Sequence, residues 1–257
     1  MSEREYMKKL FADGWKFWEA QFGTTYQEAL EHLSAFREVT IPHDYLISDT
    51  HNLYRDSTGW YLKSFTCSKG DLEKELFLIF DGIYMDSIVY VNGKEAGEWK
   101  YGYSQFILYI SDYVKEGNNE LMVAARCKFP NTRWYSGAGI FRNVWLCKYE
   151  KTYIPENGIY VHSVKADGGY NLLVSTEICG DDVKLAGGST SADSEGANEG
   201  LQVSYELFDR DGNKIPLVEK EWDGETPLPA ITEGASASKR VLFAKDVKEW
   251  DVKNPVL

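Results

Sequence analysis

The sequence predicts an all-β protein, and three features support that class. Seven short runs rich in β-branched and aromatic residues are separated by Gly, Asn, Asp or Ser, which is typical of a β-sandwich or barrel: REVTIP, GWYLKSF, KELFLIF, SIVYVNG, SQFILYI, ELMVAAR and IFRNVWL. Asn92-Gly93 lies between two runs and is a strong hairpin signal, because both residues tolerate positive φ. One segment stands out for the spacing of a helix, from about Thr25 to Phe36.

Two further segments of this region lead to specific predictions. The helical candidate carries Tyr26, Ala29, Leu30 and Leu33 at helical spacing, and we interpret it as a surface insertion, with a loop as the alternative. Gly117-Asn118-Asn119 is expected to break the chain between YISDYV and ELMVAA, much as the Asn-Gly turn does.

The pattern changes after Tyr149, and the length of 257 residues suits two domains at roughly 100 to 200 residues each. A linker-like stretch, Tyr153 to Pro155 and the IYVHSVKA run, leads into a second set of strands: NLLVSTEI, LQVSYELFD and SKRVLFAKDV. Asp211-Gly212-Asn213 is expected to close a hairpin. We therefore predict domains at 1–149 and 150–257, and a loop over 181–200, where Gly, Ser, Ala and acidic residues offer little to bury.

Composition excludes several classes of function. The net charge of −12 and the lack of a basic run argue against a nucleic-acid or anionic-membrane partner. No run of roughly 18 apolar residues predicts a membrane span, and the charged segment Met1 to Trp15 does not resemble a secretory signal, so we expect a cytoplasmic protein. Four widely spaced cysteines form no CxxC pair, so we expect reduced, structural thiols and predict neither a metal nor a cofactor.

Seven segments, in order along residues 11 to 149, together resemble family-two glycoside hydrolases, the group of β-galactosidases, β-glucuronidases and β-mannosidases. The segments are Gly14-Trp15-Lys16-Phe17, VTIPHDY from Val39, Gly59-Trp60-Tyr61, FDGIYMDSIVYVNG from Phe80, Gly102-Tyr103-Ser104, Asp112-Tyr113-Val114 and RWYSGAGIFRNVWL from Arg133. The resemblance implies a jelly-roll, galactose-binding-like sandwich over 1–149, an immunoglobulin-like sandwich over 150–257, and then a TIM barrel that bears two catalytic glutamates.

No catalytic residue is predicted in this chain. Retaining glycoside hydrolysis needs two carboxylates about 5 Å apart, and the resemblance places them in the barrel, which the sequence does not contain. Asn119-Glu120 and Asn198-Glu199 copy the family's Asn before its acid/base, but one follows a turn and the other lies in the low-complexity loop. The ending Asn254-Pro255-Val256-Leu257 is expected to continue into the last immunoglobulin-like strand and the barrel.

The resemblance implies that loops of the first domain contact the sugar, through Asp44 of the PHDY loop and Asn143 after the Arg of IFR. We expect both to matter more for substrate binding than for folding. Asp44 as a turn cap is the alternative. Four further residues are candidate contacts to substrate or to a domain interface: His43, Trp134, Tyr135 and Arg142. Each also has a structural alternative. His43 would form a hydrogen bond within its loop, the two aromatic residues would pack at an interface, and Arg142 would form an ion pair with a carboxylate inside the sandwich.

The predicted function is the non-catalytic N-terminal part of a retaining, β-galactosidase-like glycosidase. Arg133 stands where the best-known β-glucuronidases carry Asp, and this departure together with Asn143 favours a neutral β-galactoside. The alternatives are a β-glucuronidase of the same family, a free-standing carbohydrate-binding module and an adhesion sandwich. The expected partners are a β-glycoside and the missing barrel, and a homo-oligomer stays open.

Overall fold

The computed structural model describes residues 8–181, 183, 200–221, 235–245 and 247. Strands dominate this part of the chain, which confirms the all-β class. The elements are β1 Lys8–Leu10, β2 Trp15–Gln21, α1 Tyr26–Glu31, β3 Arg37–Val39, β4 Ser57–Cys67, β5 Glu75–Phe80, β6 Ser87–Val91, β7 Lys94–Trp99, β8 Phe106–Tyr109, β9 Gly117–Cys127, β10 Val144–Tyr149, β11 Ile159–Ala166, β12 Gly169–Ile178, β13 Leu207–Phe208, β14 Lys214–Ile215, β15 Leu217–Lys220 and β16 Ser236–Lys245. Short 3-10 turns cover Leu33–Ala35, Leu46–Ser48 and Asp71–Glu73.

The chain divides into two compact units, 1–150 and 151–257. The first unit contains two antiparallel sheets, with strand orders β1-β10-β5-β8 and β3-β2-β4-β9-β6-β7. One buried cluster contains side chains of both sheets, such as Leu78 and Phe80 from one and Phe17 and Tyr61 from the other. The sheets therefore pack face to face as a sandwich. Burial of each such side chain contributes roughly 1.5 to 3 kcal/mol.

Helix α1 covers the outer face of the larger sheet. Thr25 begins it with a capping box: the Thr25 hydroxyl accepts from the Glu28 amide at 3.3 Å, and the Glu28 carboxylate accepts from the Thr25 amide at 2.7 Å. Ala29 of the helix packs with Trp60 of β4 in a second, smaller buried cluster. The helical prediction is confirmed, although the α-helix ends at Glu31 and a 3-10 turn continues to Ala35.

The predicted turns have mixed outcomes. The Asn92-Gly93 hairpin between β6 and β7 is confirmed, with φ of 50° and 82°. The predicted break at Gly117-Asn118-Asn119 is wrong, because these residues begin β9 and the turn lies before them. The buried Asn119 amide accepts from the Lys115 amide nitrogen and donates to the Lys115 carbonyl, both at 2.8 Å, so it closes the turn from inside the strand. Of the predicted IFRNVWL strand, only the residues from Val144 onward form a strand.

The second unit contains an antiparallel sheet of order β11-β12-β16-β15 in its described part. The predicted hairpin at Asp211-Gly212-Asn213 is confirmed, with β13 and β14 on either side and Gly212 at a φ of 83°. The predicted LQVSYELFD strand is limited to Leu207–Phe208. Residues 182 and 184–199, and with them the predicted loop and Asn198-Glu199, lie outside the described residues, as does the chain end from 248.

All four cysteines are free in the structure. Cys67, Cys127 and Cys147 are buried, and Cys179 is half-buried. Burial raises the pKa of Cys67, and it raises that of Cys127 to about 12. These thiols are therefore small core side chains and not nucleophiles.

Candidate functional site

Two loops of the first unit, residues 42–46 and 135–143, pair through their backbones. The His43 amide donates to the Ile140 carbonyl at 2.7 Å, and the Tyr45 amide donates to the Ala138 carbonyl at 3.2 Å. Between them lies Gly139, at a φ of +105°, where a Cβ would come within 2.1 Å of the Tyr61 hydroxyl. Only glycine fits there, so the sequence GAG is what allows the two loops to meet.

Asp44 joins the two loops through its carboxylate. Oδ1 accepts from the amides of Leu46 and Ala138, each at 3.1 Å, and Oδ2 accepts from the Tyr135 hydroxyl at 2.6 Å. The bond to Leu46 is the turn cap that the alternative interpretation predicts, and the other two reach a loop some 90 residues away. A carboxylate has about four acceptor positions, and the fold uses three of those on Asp44.

Tyr135 therefore has a structural partner in Asp44. Burial first, and then the hydrogen bond to this carboxylate, raises the pKa of Tyr135 well above its usual range. The phenol is therefore protonated at neutral pH and donates to Asp44. The structure brings these two sequence-predicted residues together.

His43 is held by the core. Its Nδ1 lies 2.9 Å from the Tyr61 hydroxyl, and its ring packs edge-on against Phe17 at 4.7 Å. Burial, followed by the positive charge of Arg37, lowers the pKa of His43 below its usual range. The imidazole is thus neutral near pH 7 and acts as the loop hydrogen-bonding group of the alternative interpretation.

Asn143 lines a pocket of about 430 Å³ together with Pro42, Asp81, Gln105, Phe141 and Arg142. Its backbone carbonyl accepts from the Asp81 amide at 3.0 Å. Its side-chain amide makes no hydrogen bond to any residue that the structure describes. Asn143 is therefore anchored by its backbone and presents an unengaged donor and acceptor at the pocket.

The Asp81 carboxylate lines this pocket and accepts two hydrogen bonds from within the fold. Oδ1 accepts from the Gln105 amide at 3.0 Å, and Oδ2 accepts from the Trp145 indole at 2.9 Å. Sequence reasoning missed both Asp81 and Gln105. The FDG run was noted but not interpreted as a site, and Gln105 carries no local signal because its role depends on a strand far away in sequence.

Arg142 is exposed at the rim of the pocket. Its Nη1 donates to the Tyr103 carbonyl at 3.3 Å and lies 3.5 Å from the Asp81 carbonyl. The predicted ion pair between Arg142 and a carboxylate inside the sandwich is wrong for the described residues, because these partners are backbone carbonyls. Arg142 therefore places a positive charge at the rim of a pocket that the Asp81 carboxylate also lines.

Trp134 differs from its neighbour Tyr135. It is 63% exposed, and its backbone carbonyl accepts from the Thr132 hydroxyl at 2.5 Å. Its indole is therefore available at the surface of the first unit.

The described residues contain neither a candidate metal-binding cluster nor a candidate membrane-spanning helix. No group of three or more His, Cys, Asp and Glu side chains there could hold a metal ion. No helix in that part of the chain is both long and apolar enough to span a membrane.

The first unit is thus a two-sheet antiparallel β-sandwich with a pocket beside its loops. Residues 24–150 match the family model for "Glycosyl hydrolases family 2, sugar binding domain", and this part of the chain belongs to that family.

Known relatives extend the likeness beyond this domain. The chain is 31% identical over 239 residues to the β-galactosidase BoGH2A of Bacteroides ovatus, an alignment that covers 86% of this chain and 25% of that protein. The crystal structure of a glycosyl hydrolase family 2 member from Bacteroides cellulosilyticus superposes with a TM-score of 0.72 at 21% identity, over 97% of this chain and 33% of that one. A Bacteroides uniformis β-glucuronidase superposes with a TM-score of 0.67 at 19% identity, over 95% and 28%.

At these identities the two structures show the fold alone. The chain spans about a quarter of the length of the Bacteroides ovatus relative.

Proposed function

We propose that this chain is the N-terminal, non-catalytic part of a family 2 glycoside hydrolase that cleaves β-galactosides, and that its first unit forms one wall of the sugar pocket. The observation that carries the proposal is the unengaged side-chain amide of Asn143, at a pocket within the matched sugar binding domain. The relationship to a β-galactosidase supports the choice of sugar.

The chemistry of an amide suits this role. Adjacent sugar hydroxyls each donate and accept, and the Asn143 side chain offers one carbonyl oxygen and two N–H groups to match them. A buried substrate hydroxyl that loses such a partner costs about 1 to 3 kcal/mol.

Asp44 has a double role in this proposal. Three hydrogen bonds hold the loops that shape the pocket, and the remaining acceptor position is available to the sugar. Asp44 therefore contributes to substrate binding chiefly by keeping the 135–143 loop, and with it Asn143, in place.

The kinetic test compares Asn143→Ala with Asn143→Asp in the longer protein that joins this chain to a catalytic barrel. We expect Asn143→Ala to lower kcat/KM for nitrophenyl β-galactoside by about 5- to 100-fold, which corresponds to loss of one hydrogen-bonded partner. Asn143→Asp keeps an acceptor and should lose less. Asn118→Ala, at an exposed asparagine on β9, is the matched control and should leave kcat/KM unchanged. Normal kcat/KM in Asn143→Ala on every cleavable β-glycoside would exclude the assigned site.

The chain alone should be inactive, because retaining hydrolysis requires a pair of carboxylates about 5 Å apart across the scissile bond, which the proposal assigns to the barrel. Purified protein should show no turnover of nitrophenyl β-galactoside or β-glucuronide. Turnover that disappears when an acidic residue of this chain is replaced would contradict the non-catalytic role.

Arg142 favours a second candidate, a β-glucuronidase. A guanidinium at the pocket rim with backbone carbonyls as its partners could pair with the carboxylate of a uronic acid. In the longer protein, Arg142→Gln should then lower kcat/KM for nitrophenyl β-glucuronide and leave that for β-galactoside unchanged. An equal effect on both substrates would remove this support for the β-glucuronide.

A further inference from the structure

A line of three aromatic rings leads from the Asn143 pocket to the surface. Phe141 lines the pocket, and its ring meets that of Tyr103 edge to face with centroids 6.0 Å apart. The Tyr103 ring meets that of Tyr101 in the same manner at 5.9 Å. Tyr101 is 62% exposed. We name Phe141, Tyr103 and Tyr101 the aromatic strip, and it gives the pocket a continuous aromatic path to solvent.

The loop that carries Tyr101 is fixed on both sides. The Trp99 indole donates to the Ser104 hydroxyl at 3.0 Å, and the Lys100 ammonium pairs with Asp86 at 3.0 Å. Gly102 lies so close to Tyr84 that a Cβ would approach its ring to 2.2 Å. Tyr101 is thus a large exposed side chain on a well-anchored loop. Such a residue loses little conformational entropy when it binds a ligand, which is typical of recognition sites.

Polar groups accompany the rings. Arg142 lies 5.2 Å from the Phe141 ring and donates to the Tyr103 carbonyl, so its guanidinium runs beside the aromatic strip. A pyranose ring presents a C–H face that is apolar and an edge of hydroxyls that is polar. Aromatic faces next to guanidinium and phenol donors match both features.

We propose that the aromatic strip binds the second sugar ring of a β-linked oligosaccharide whose terminal ring occupies the Asn143 pocket, with Tyr101 stacked on that second ring. This inference rests on the proposed function and specifies its substrate class as an oligosaccharide and not a simple glycoside. Continuity with the pocket favours a glycan over a protein partner, because the strip begins at a pocket-lining residue.

The test is a titration of this 257-residue chain, labelled with ¹⁵N, with galactose and with β-1,4-galactotriose. We expect the trisaccharide to bind about tenfold more tightly than galactose, with amide shifts in residues 99–106 and 141–143. Tyr101→Ala should abolish that advantage, and Tyr101→Phe, which keeps the ring, should retain it. Tyr54→Ala is the matched control: Tyr54 is 57% exposed, packs edge-on with Phe129 at 5.5 Å, and should leave binding unchanged.

Three results would overturn the inference. One is trisaccharide binding by Tyr101→Ala that equals the wild type, which leaves the Asn143 pocket and the proposed function intact. Another is the absence of any trisaccharide shift in the wild type; the kcat/KM of Asn143→Ala in the longer protein then decides the proposed function separately. The third is a Tyr101→Ala variant with an altered sedimentation coefficient and unaltered trisaccharide shifts, which would identify the strip as a contact between copies of the chain.

Discussion

Asp44 and Asn143 were predicted to play the same part, yet the structure engages them in different ways. The Asp44 carboxylate accepts three hydrogen bonds from two loops, whereas the Asn143 side-chain amide has no hydrogen-bond partner in the described chain. A polar group whose capacity is used inside the fold supports stability, and one whose capacity is left over is available to a ligand. We therefore propose that Asn143 matters more for binding than for folding, and that Asp44 also matters for folding.

The strongest test of the loop pairing is Gly139→Ala. The new Cβ would meet the Tyr61 hydroxyl at 2.1 Å and the His43 carbonyl at 2.8 Å, at a φ of +105°. We expect a loss of about 3 kcal/mol or more in the free energy of unfolding, from backbone strain and overpacking together. Urea unfolding followed by tryptophan fluorescence measures it, since Trp15 and Trp60 are buried in the first unit.

Gly23→Ala separates the two causes. Gly23 also has a positive φ, of +89°, but nothing lies within 4 Å of the Cβ position. It should lose about 1 kcal/mol from strain alone. Equal losses in the two variants would mean that the contact with Tyr61 and His43 is unimportant.

Asp44→Ala should lower the free energy of unfolding by about 2 to 3 kcal/mol, because it strands the amides of Leu46 and Ala138 and the hydroxyl of Tyr135. Tyr135→Phe removes one of the three bonds and should cost about 1 kcal/mol. Urea unfolding of both variants measures the difference. If the Asp44→Ala protein were as stable as the wild type, the Asp44 side chain, like that of Asn143, would not contribute to folding stability.

His43 offers a pH-dependent test of the same loops. Its pKa in the folded protein lies below the unfolded value of about 6.5, so the unfolded chain binds the extra proton first. This residue therefore reduces stability as the pH falls below about 6.5, and the reduction is complete once the pH is below the folded pKa. Between pH 7.5 and 5.0 the wild type should lose more unfolding free energy than His43→Asn. Equal losses would show that His43 is solvated.

Asn143→Ala should have the smallest effect on folding. Because its side chain forms no hydrogen bond with the residues that the structure describes, its free energy of unfolding should stay within about 0.5 kcal/mol of the wild type, while kcat/KM in the longer protein falls. Thermal and urea unfolding of the chain measure the first quantity. A loss of stability as large as that of Asp44→Ala would remove the contrast between the two residues.

Local signals in the sequence predicted much of the fold. The Asn92-Gly93 turn and the helix at Tyr26 depend on neighbours within a few residues, and both are confirmed. The break at Gly117-Asn118-Asn119 failed because the Asn119 amide, buried inside β9, forms hydrogen bonds that a composition pattern does not reveal.

The candidate site was harder to predict, because it is formed by residues distant in sequence. Asp44 meets Tyr135 across 91 positions, and Asp81 meets Trp145 across 64. The resemblance could place Asp44 and Asn143 near a sugar, but only coordinates reveal which side chain the fold has already engaged. Tyr101 was overlooked because an exposed tyrosine is unremarkable until its neighbours are known.

Labelling of the buried thiols can be used to measure local unfolding of this chain. Alkylating reagents attack thiolates, and burial keeps Cys67 and Cys127 both covered and protonated at neutral pH. Cys127 ends the central strand β9, and Cys67 ends its neighbour β4, so the two report on the same pair of strands from opposite ends. The rate at which each thiol is labelled under native conditions measures how often strands β4 and β9 separate at that end. No additional probe has to be introduced.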